Sequence, residues 1–98
     1  MSKFGELISV EVPVLFNFFT SWNEDSISMQ PIVKDVAAVI GEDAKVIKID
    51  VDKNPEITEA LRIKGLPTFI LYKNGEMKWR KSGKQDVNTL VQVLQQYK

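Results

Sequence analysis

The side chains with the most chemical potential lie in one short stretch, WNEDSISMQP at residues 22–31, directly after an apolar run. Asn23, Glu24, Asp25 and Ser26 stand there between a predicted strand and a predicted helix, where open α/β sheets usually keep their sites. Ser26 carries a hydroxyl, but the sequence contains no histidine to activate it. We therefore interpret Asn23, Asp25 and Ser26 as capping residues of the helix that follows.

The composition excludes most catalytic classes. The 98 residues include no cysteine and no histidine, which removes disulfides, thiol nucleophiles, imidazole or thiolate metal sites and histidine-based triads. Asp50 and Asp52 offer carboxylates for a hard cation, but acids at a strand end are usually solvated. We expect no cofactor and no metal site.

The charges exclude two classes of partner. The 13 basic and 13 acidic side chains cancel, so no broad field attracts nucleic acid or an anionic membrane. No apolar run approaches the roughly 20 residues that span a bilayer, and the first residues lack the pattern of a signal peptide. We therefore expect a cytoplasmic protein that binds neither nucleic acid nor membrane.

Four stretches have strand patterns: 12–19, 45–51, 67–72 and 76–82. Residues 12–19 are apolar and aromatic almost throughout, which is typical of a strand buried on both faces. The tripeptide at 73–75, Lys-Asn-Gly, predicts a tight hairpin between the last two strands. A right-handed connection then places 45–51 and 67–72 on the two sides of 12–19.

Three stretches have helical patterns: 26–41, 54–65 and 86–97. Gly41 and Gly65 are the predicted stops of the first two, and Asp86 is the predicted cap of the third. Pro31 lies too deep for a first-turn proline, so we predict that it kinks the first helix. Residues 1–98 are thus predicted to form one α/β domain of order β-α-β-α-β-β-α, a four-stranded mixed sheet flanked by helices.

This order and several local motifs resemble the thioredoxin family. Residues 13–22, PVLFNFFTSW, are similar to the strand that leads into the family's Trp-Cys-Gly-Pro-Cys site, and Pro31 stands at the family's helix-kinking proline. The stretch 65–68, Gly-Leu-Pro-Thr, is similar to the cis-proline loop, with further similarity at 49–55 and 72–76. The resemblance covers about residues 4–98 and implies the thioredoxin fold.

The chain departs from the family at the redox centre. Asn23 and Ser26 stand at the positions of the nucleophilic and resolving cysteines, while Glu24 and Asp25 replace the glycine and proline between them. Asn17 aligns with the buried aspartate that the family uses for proton transfer. A neutral amide keeps the shape and drops the proton chemistry. We predict a redox-inactive member with no catalytic residues.

The chain also departs from the family at its start. Only about ten residues precede the central strand, and residues 3–8 can supply at most a short helical piece. The family's first strand is therefore predicted to be missing. It cannot come from residues 6–10, because a parallel crossover to 12–19 needs more chain. Residues 45–51 are then a free edge strand, which invites a partner strand.

Three functions remain open from the sequence. The leading hypothesis is a module that binds an extended protein segment in the groove that the family forms beside its cis-proline loop, here Trp22, Leu66, Pro67 and Thr68, with a cis Leu66–Pro67 bond implied by the resemblance. A second is a thioredoxin-type role in cell redox homeostasis, as disulfide oxidoreductase or isomerase-like assistance with a thiol supplied by a partner. A third is an assembly domain, with a homodimer through strand 45–51.

Overall fold

The computed structural model describes residues 3–98, which form one four-stranded sheet with helices on both faces. The strands are β1 (Val14–Phe19), β2 (Lys45–Asp50), β3 (Thr68–Lys73) and β4 (Glu76–Ser82). The helices are α1 (Lys3–Ile8), α2 (Glu24–Ser28), α3 (Gln30–Ile40), α4 (Pro55–Ala60) and α5 (Val87–Gln96), with a 3-10 turn at Gly41–Asp43. Within residues 3–98, no helix combines the length and apolarity needed to cross a membrane.

The sheet has the order β2-β1-β3-β4, which confirms the predicted mixed four-stranded sheet. β1 pairs with β2 in parallel and with β3 antiparallel, and β3 forms an antiparallel hairpin with β4. Because β1 has a neighbour on each side and helices above and below, five of its six side chains are buried. The apolar composition of this run follows directly from that position.

Two apolar cores lie on the opposite faces of the sheet. On one face Leu15 packs with side chains from α3 and α5, and on the other Phe16 and Phe18 pack with side chains from α1 and α4. Phe16, Phe18 and Phe69 are the largest fully buried side chains. Burying each of them stabilises the fold by about 1.5–3 kcal/mol, so the central strands hold both layers together.

The helix after β1 begins earlier than predicted and is divided in two. α2 starts at Glu24 with Asn23 as its N-cap, whereas the sequence indicated a start at Ser26. The helix is interrupted at Met29, and Pro31 then lies in the first turn of α3. The predicted disruption is present, but Pro31 occupies a first-turn position after all, because a new helix begins just before it and needs no N–H there.

Four strand ends differ from the prediction by one or two residues, among them the end of β3, which lies at Lys73 instead of 72. β1 begins at Val14 instead of residue 12; the Pro13 carbonyl, which accepts a hydrogen bond from the Lys45 N–H at 2.9 Å, still takes part in the ladder. β2 ends at Asp50 instead of 51. β3 starts at Thr68, one residue after the predicted start, because Pro67 has no N–H to donate.

The strand β2 lies at one edge of the sheet, as predicted. Among residues 3–98 it pairs only with β1, and residues 3–8 form the helix α1 instead of a covering strand. Phe4 of α1 packs against Phe16 at a ring-centroid distance of 5.0 Å, so the start of the chain covers a face of the sheet and leaves this edge open.

A side chain from β4 holds the segment that leads into β3. α4 ends at Ala60 and not near Gly65, and Arg62 adopts a left-handed backbone with φ of 53°. The Arg80 guanidinium donates to the carbonyl oxygens of Leu61 at 2.6 Å and of Arg62 at 2.9 Å. These are carbonyls that the helix end leaves without an internal partner, so Arg80 acts as a remote C-terminal cap.

We predict that Arg80→Met weakens this connection while leaving the sheet intact. The variant keeps an apolar stem but loses two charge-assisted hydrogen bonds, which at an exposed position should lower the free energy of unfolding by about 1 kcal/mol. Amide exchange should accelerate at residues 61–66. Lys81→Met on the same strand is the control, and equal behaviour of both variants in urea unfolding and exchange would contradict the role of Arg80.

Candidate functional site

The strand register brings three chain segments to one corner of the sheet. Phe18 of β1 stands opposite Thr68 of β3, and Phe19 stands opposite Asp50 of β2. The Val51 N–H continues the ladder by donating to the Phe19 carbonyl at 3.0 Å. Residues 20–26, 50–52 and 66–68 therefore follow or precede neighbouring strand ends. The sequence predicted this convergence for the first and third segments.

Asn23 shapes the first segment by capping α2. Its Oδ1 accepts the Ser26 N–H at 2.8 Å, and its own N–H donates to Thr20 Oγ1 at 3.2 Å. Glu24 and Asp25 occupy the first helical turn, where acidic side chains complement the helix dipole. The capping interpretation is confirmed for Asn23. Asp25 and Ser26 lie inside the helix and are not its caps, because the helix starts before them.

Trp22 is held at the surface by a hydrogen bond that joins two of the segments. Its indole Nε1 donates to Asp52 Oδ2 at 2.9 Å, while 68% of the side chain stays exposed. Asp50 in turn fixes the neighbouring backbone, since its Oδ1 accepts the Asp52 N–H at 2.9 Å. Among residues 3–98 no three potential metal-ligating side chains cluster. Asp50 and Asp52 thus hold the Trp22 indole and the backbone after β2 in place.

The third segment presents free backbone groups. The Leu66–Pro67 bond is cis in the structure. Pro67 is buried, and its carbonyl accepts the Gly83 N–H at 2.7 Å. Leu66 is half-buried, and neither its N–H nor its C=O has a hydrogen-bond partner among residues 3–98. An unused donor and acceptor on one residue suit pairing with an extended chain.

Thr68 lies behind this surface and does not form part of it. The side chain is fully buried, and its Oγ1 donates to the Gly65 carbonyl at 2.6 Å and lies 3.1 Å from Ser82 Oγ. Of the four residues predicted to line the groove, Trp22 and Leu66 are accessible, whereas Pro67 and Thr68 are buried beneath. Thr68 therefore positions the loop that carries Leu66.

Asn17 and Ser26 lie in the interior with polar atoms that have no protein partner. Both side chains are fully buried, and Asn17 Nδ2, Asn17 Oδ1 and Ser26 Oγ make no hydrogen bond to residues 3–98. Asn17 shares the strand face of Leu15, towards α3. An unsatisfied buried polar group costs about 1–3 kcal/mol. Both side chains fill space in the interior, and neither takes up or gives a proton near neutral pH.

The corner exposes apolar area and free backbone groups. Trp22 supplies exposed apolar area, Leu66 supplies a free backbone donor and acceptor, and Ile27 on α2 adds a side chain that is 51% exposed. Sequence reasoning missed Ile27 and the role of Asp52. The signal for Asp52 was its place just after β2, at the sheet end where the chain leaves β1 towards Trp22.

The chain is similar to known thioredoxins along most of its length. The sequence model of the Thioredoxin family matches residues 1–96. A thioredoxin of Rickettsia bellii is 33% identical over 89 residues, covering 91% of this chain and 85% of that protein. A thioredoxin-like protein of Synechocystis is 36% identical over 95 residues, covering 96% of this chain and 90% of that protein. The rice protein named Thioredoxin Y, chloroplastic, is 37% identical over 95 residues, 96% of this chain and 56% of its own length.

Solved structures give the same result. A mutant thioredoxin from Halobacterium salinarum superposes with a TM-score of 0.88 at 30% identity, covering 99% of this chain and 84% of its own. A thioredoxin of Plasmodium falciparum superposes with a TM-score of 0.85 at 29% identity, covering 97% of this chain and 91% of its own. The described architecture is thus shared along nearly the whole chain.

We predict different effects on stability for two substitutions at the start of α2. Asn23→Ala removes the cap of the Ser26 N–H and should lower the free energy of unfolding by about 1 kcal/mol. Ser26→Ala removes a buried hydroxyl without a protein partner, so it should leave stability unchanged or raise it. Urea unfolding of both variants compares the two effects. A loss for Ser26→Ala as large as that for Asn23→Ala would contradict this account of the hydroxyl.

Proposed function

Because the chain belongs to the thioredoxin family and lacks every cysteine, we propose that it is a redox-inactive member that binds an extended segment of another protein. The segment lies across a surface that we call the Trp22–Leu66 groove, formed by Trp22, Ile27, Leu66 and the buried Pro67 beneath them. The single observation that carries this proposal is the free N–H and C=O of Leu66 at the same corner of the sheet as an exposed, anchored indole.

The free backbone groups of Leu66 favour an extended ligand. Most buried or half-buried backbone groups in folded proteins have partners, so a residue with both groups unpaired is an exception that asks for a reason. One residue of an extended chain offers a donor and an acceptor on the same side, which matches Leu66. Pairing of this kind depends little on the sequence of the ligand.

Trp22 supports the proposal as an apolar anchor. An indole that is 68% exposed offers apolar area to a ligand, and aromatic side chains dominate many binding surfaces. The hydrogen bond to Asp52 limits the motion of the ring, so less entropy is lost when a ligand covers it. No thiol is present to trap the ligand, so binding is reversible.

The redox alternative requires groups that the chain does not contain. Disulfide exchange needs an attacking thiolate and then a resolving thiol, and both would have to come from other proteins. A cytoplasmic location remains a prediction, since the relatives are bacterial proteins together with one named chloroplastic.

We predict that partners captured from the native cell depend on the indole. Trp22→Ala should weaken a captured partner about ten-fold or more, because it removes the apolar anchor. Met77→Ala, which truncates an exposed apolar side chain on β4, is the matched control and should leave the affinity unchanged. Thermal unfolding establishes that both variants are folded. Equal affinities for the protein and for Trp22→Ala would reject the Trp22–Leu66 groove as the binding surface.

We also predict that the corner keeps the geometry of a dithiol site. Asn23 and Ser26 are three residues apart at a helix start, which can bring their Cα atoms within the roughly 4.4–6.8 Å that a disulfide accepts. The double variant Asn23→Cys with Ser26→Cys should form an intramolecular disulfide in mild oxidant, measured by thiol titration and mass. The helix N-terminus would favour a thiolate at residue 23.

The single variant Asn23→Cys is the control for that experiment, because it has no second thiol within the chain. The unmodified protein should not reduce the disulfides of insulin, whereas turnover above a boiled sample would support the redox alternative. A folded double variant that stays fully reduced would count against the inherited geometry of the corner.

A further inference from the structure

The edge strand β2 and the helix α3 enclose a groove that the proposed function does not use. It has a volume of about 400 Å³ and is lined by Gln30, Pro31, Val33, Lys34, Ala37, Val46 and Lys48. Pro31 and Ala37 are exposed on its helical wall, and Val46 is half-buried on its strand wall. The groove lies on the side of β1 opposite β3, away from Leu66.

The same strand residues that line the groove also have unpaired backbone groups. Lys45 donates its N–H to the Pro13 carbonyl at 2.9 Å, and Val51 donates to the Phe19 carbonyl at 3.0 Å. Because successive residues of a strand point their backbone groups to opposite sides, the odd-numbered residues face β1. The N–H and C=O of Val46 and Lys48 therefore point outward, at an edge that no strand within residues 3–98 covers.

Three lysines surround the part of this edge next to the groove, and Asp50 is the one acid on the strand itself. Lys34 stands on the helical wall, Lys48 on the strand wall, and Lys45 on the opposite face of the strand, and all three are exposed. Lys48 Nζ donates to Gln30 Oε1 at 3.2 Å, but no carboxylate within residues 3–98 forms an ion pair with any of the three lysines.

We propose that β2 and this groove receive an acidic, extended strand from a partner protein. The partner strand would hydrogen-bond to Val46 and Lys48. On the face towards the groove it would place a small apolar side chain against Ala37 and Val46 and, two residues along, a carboxylate beside Lys34 and Lys48. On its other face it would set carboxylates beside Lys45. Backbone pairing at an exposed sheet edge supplies affinity, and the pockets for alternate side chains supply selectivity.

The positive charges of the lysines favour an acidic partner strand over a second copy of the chain. In a symmetric antiparallel pair of β2 strands, the lysines of both copies would lie on one short ribbon with only Asp50 as a nearby acid on the strand. Lysines on edge strands discourage such self-pairing, and like charges directly opposite each other are destabilising. With an acidic strand, the lysines attract the added strand instead of repelling it.

The test uses as probe a short peptide, Val-Glu-Glu-Glu-Val, which presents both valine and glutamate on one face of an extended chain and glutamate alone on the other. The peptide is added at millimolar concentration, and the amides of the folded protein are observed by NMR. The expected result is perturbation concentrated at residues 44–50, protection of the Val46 and Lys48 amides from exchange, and weakening at high salt. A peptide with lysine in place of glutamate should bind at least ten-fold more weakly.

Two exposed positions give a matched pair of variants. Lys48→Glu should weaken the glutamate–valine peptide about ten-fold or more, while Lys81→Glu on the other edge strand, β4, should not change its affinity. Three results would overturn the proposal: no perturbation at β2, equal binding of the lysine peptide, or concentration-dependent dimerisation through β2, which would make a second copy the occupant. All three readouts are independent of Trp22 and Leu66, so they do not test the Trp22–Leu66 groove.

Discussion

The burial of β1 on both faces is the constraint on which the other positions in the molecule depend. Its side chains alternate between the two cores, and its backbone pairs with β2 and β3 at once, so neither neighbour can shift register alone. Phe16 lies within 5.0 Å of Phe4, 5.8 Å of Tyr72 and 6.2 Å of Phe18 between ring centroids. Truncating such a ring typically costs about 3–5 kcal/mol. The corner beyond Phe19 is therefore positioned by the core.

Because the core positions the corner, the corner keeps its shape without a thiol or an imidazole. Asn23 provides a helix cap, and Ser26 is buried without a hydrogen-bond partner among residues 3–98. Asn17 is likewise buried with both amide atoms unpaired, at a cost that a purely structural residue would avoid. Asn17 and Ser26 are thus buried inside the fold, whereas Trp22 and Leu66 at the surface have groups that a ligand can use.

The sheet could be predicted from the sequence because its signals are local: an apolar run and an Asn-Gly turn. The contacts that complete the site could not be predicted, because they join residues that are far apart in the chain. Trp22 bonds to Asp52, and Arg80 holds the carbonyls that precede the loop of Leu66. The inward orientation of Thr68 follows from its hydroxyl contact with Ser82 on β4. Pro31 was placed correctly on the chain, but the pattern could not show that the helix ends before it and begins again.

The protein thus presents two surfaces on opposite sides of β1, and the account depends most on the one at Leu66. The most direct measurement is the hydrogen-exchange rate of the Leu66 amide, followed by NMR in the free protein and with a saturating amount of a captured partner. The account predicts rapid exchange in the free protein, because the N–H has no partner within residues 3–98, and strong protection in the complex. An unchanged Leu66 rate in a complex that protects other residues would contradict it.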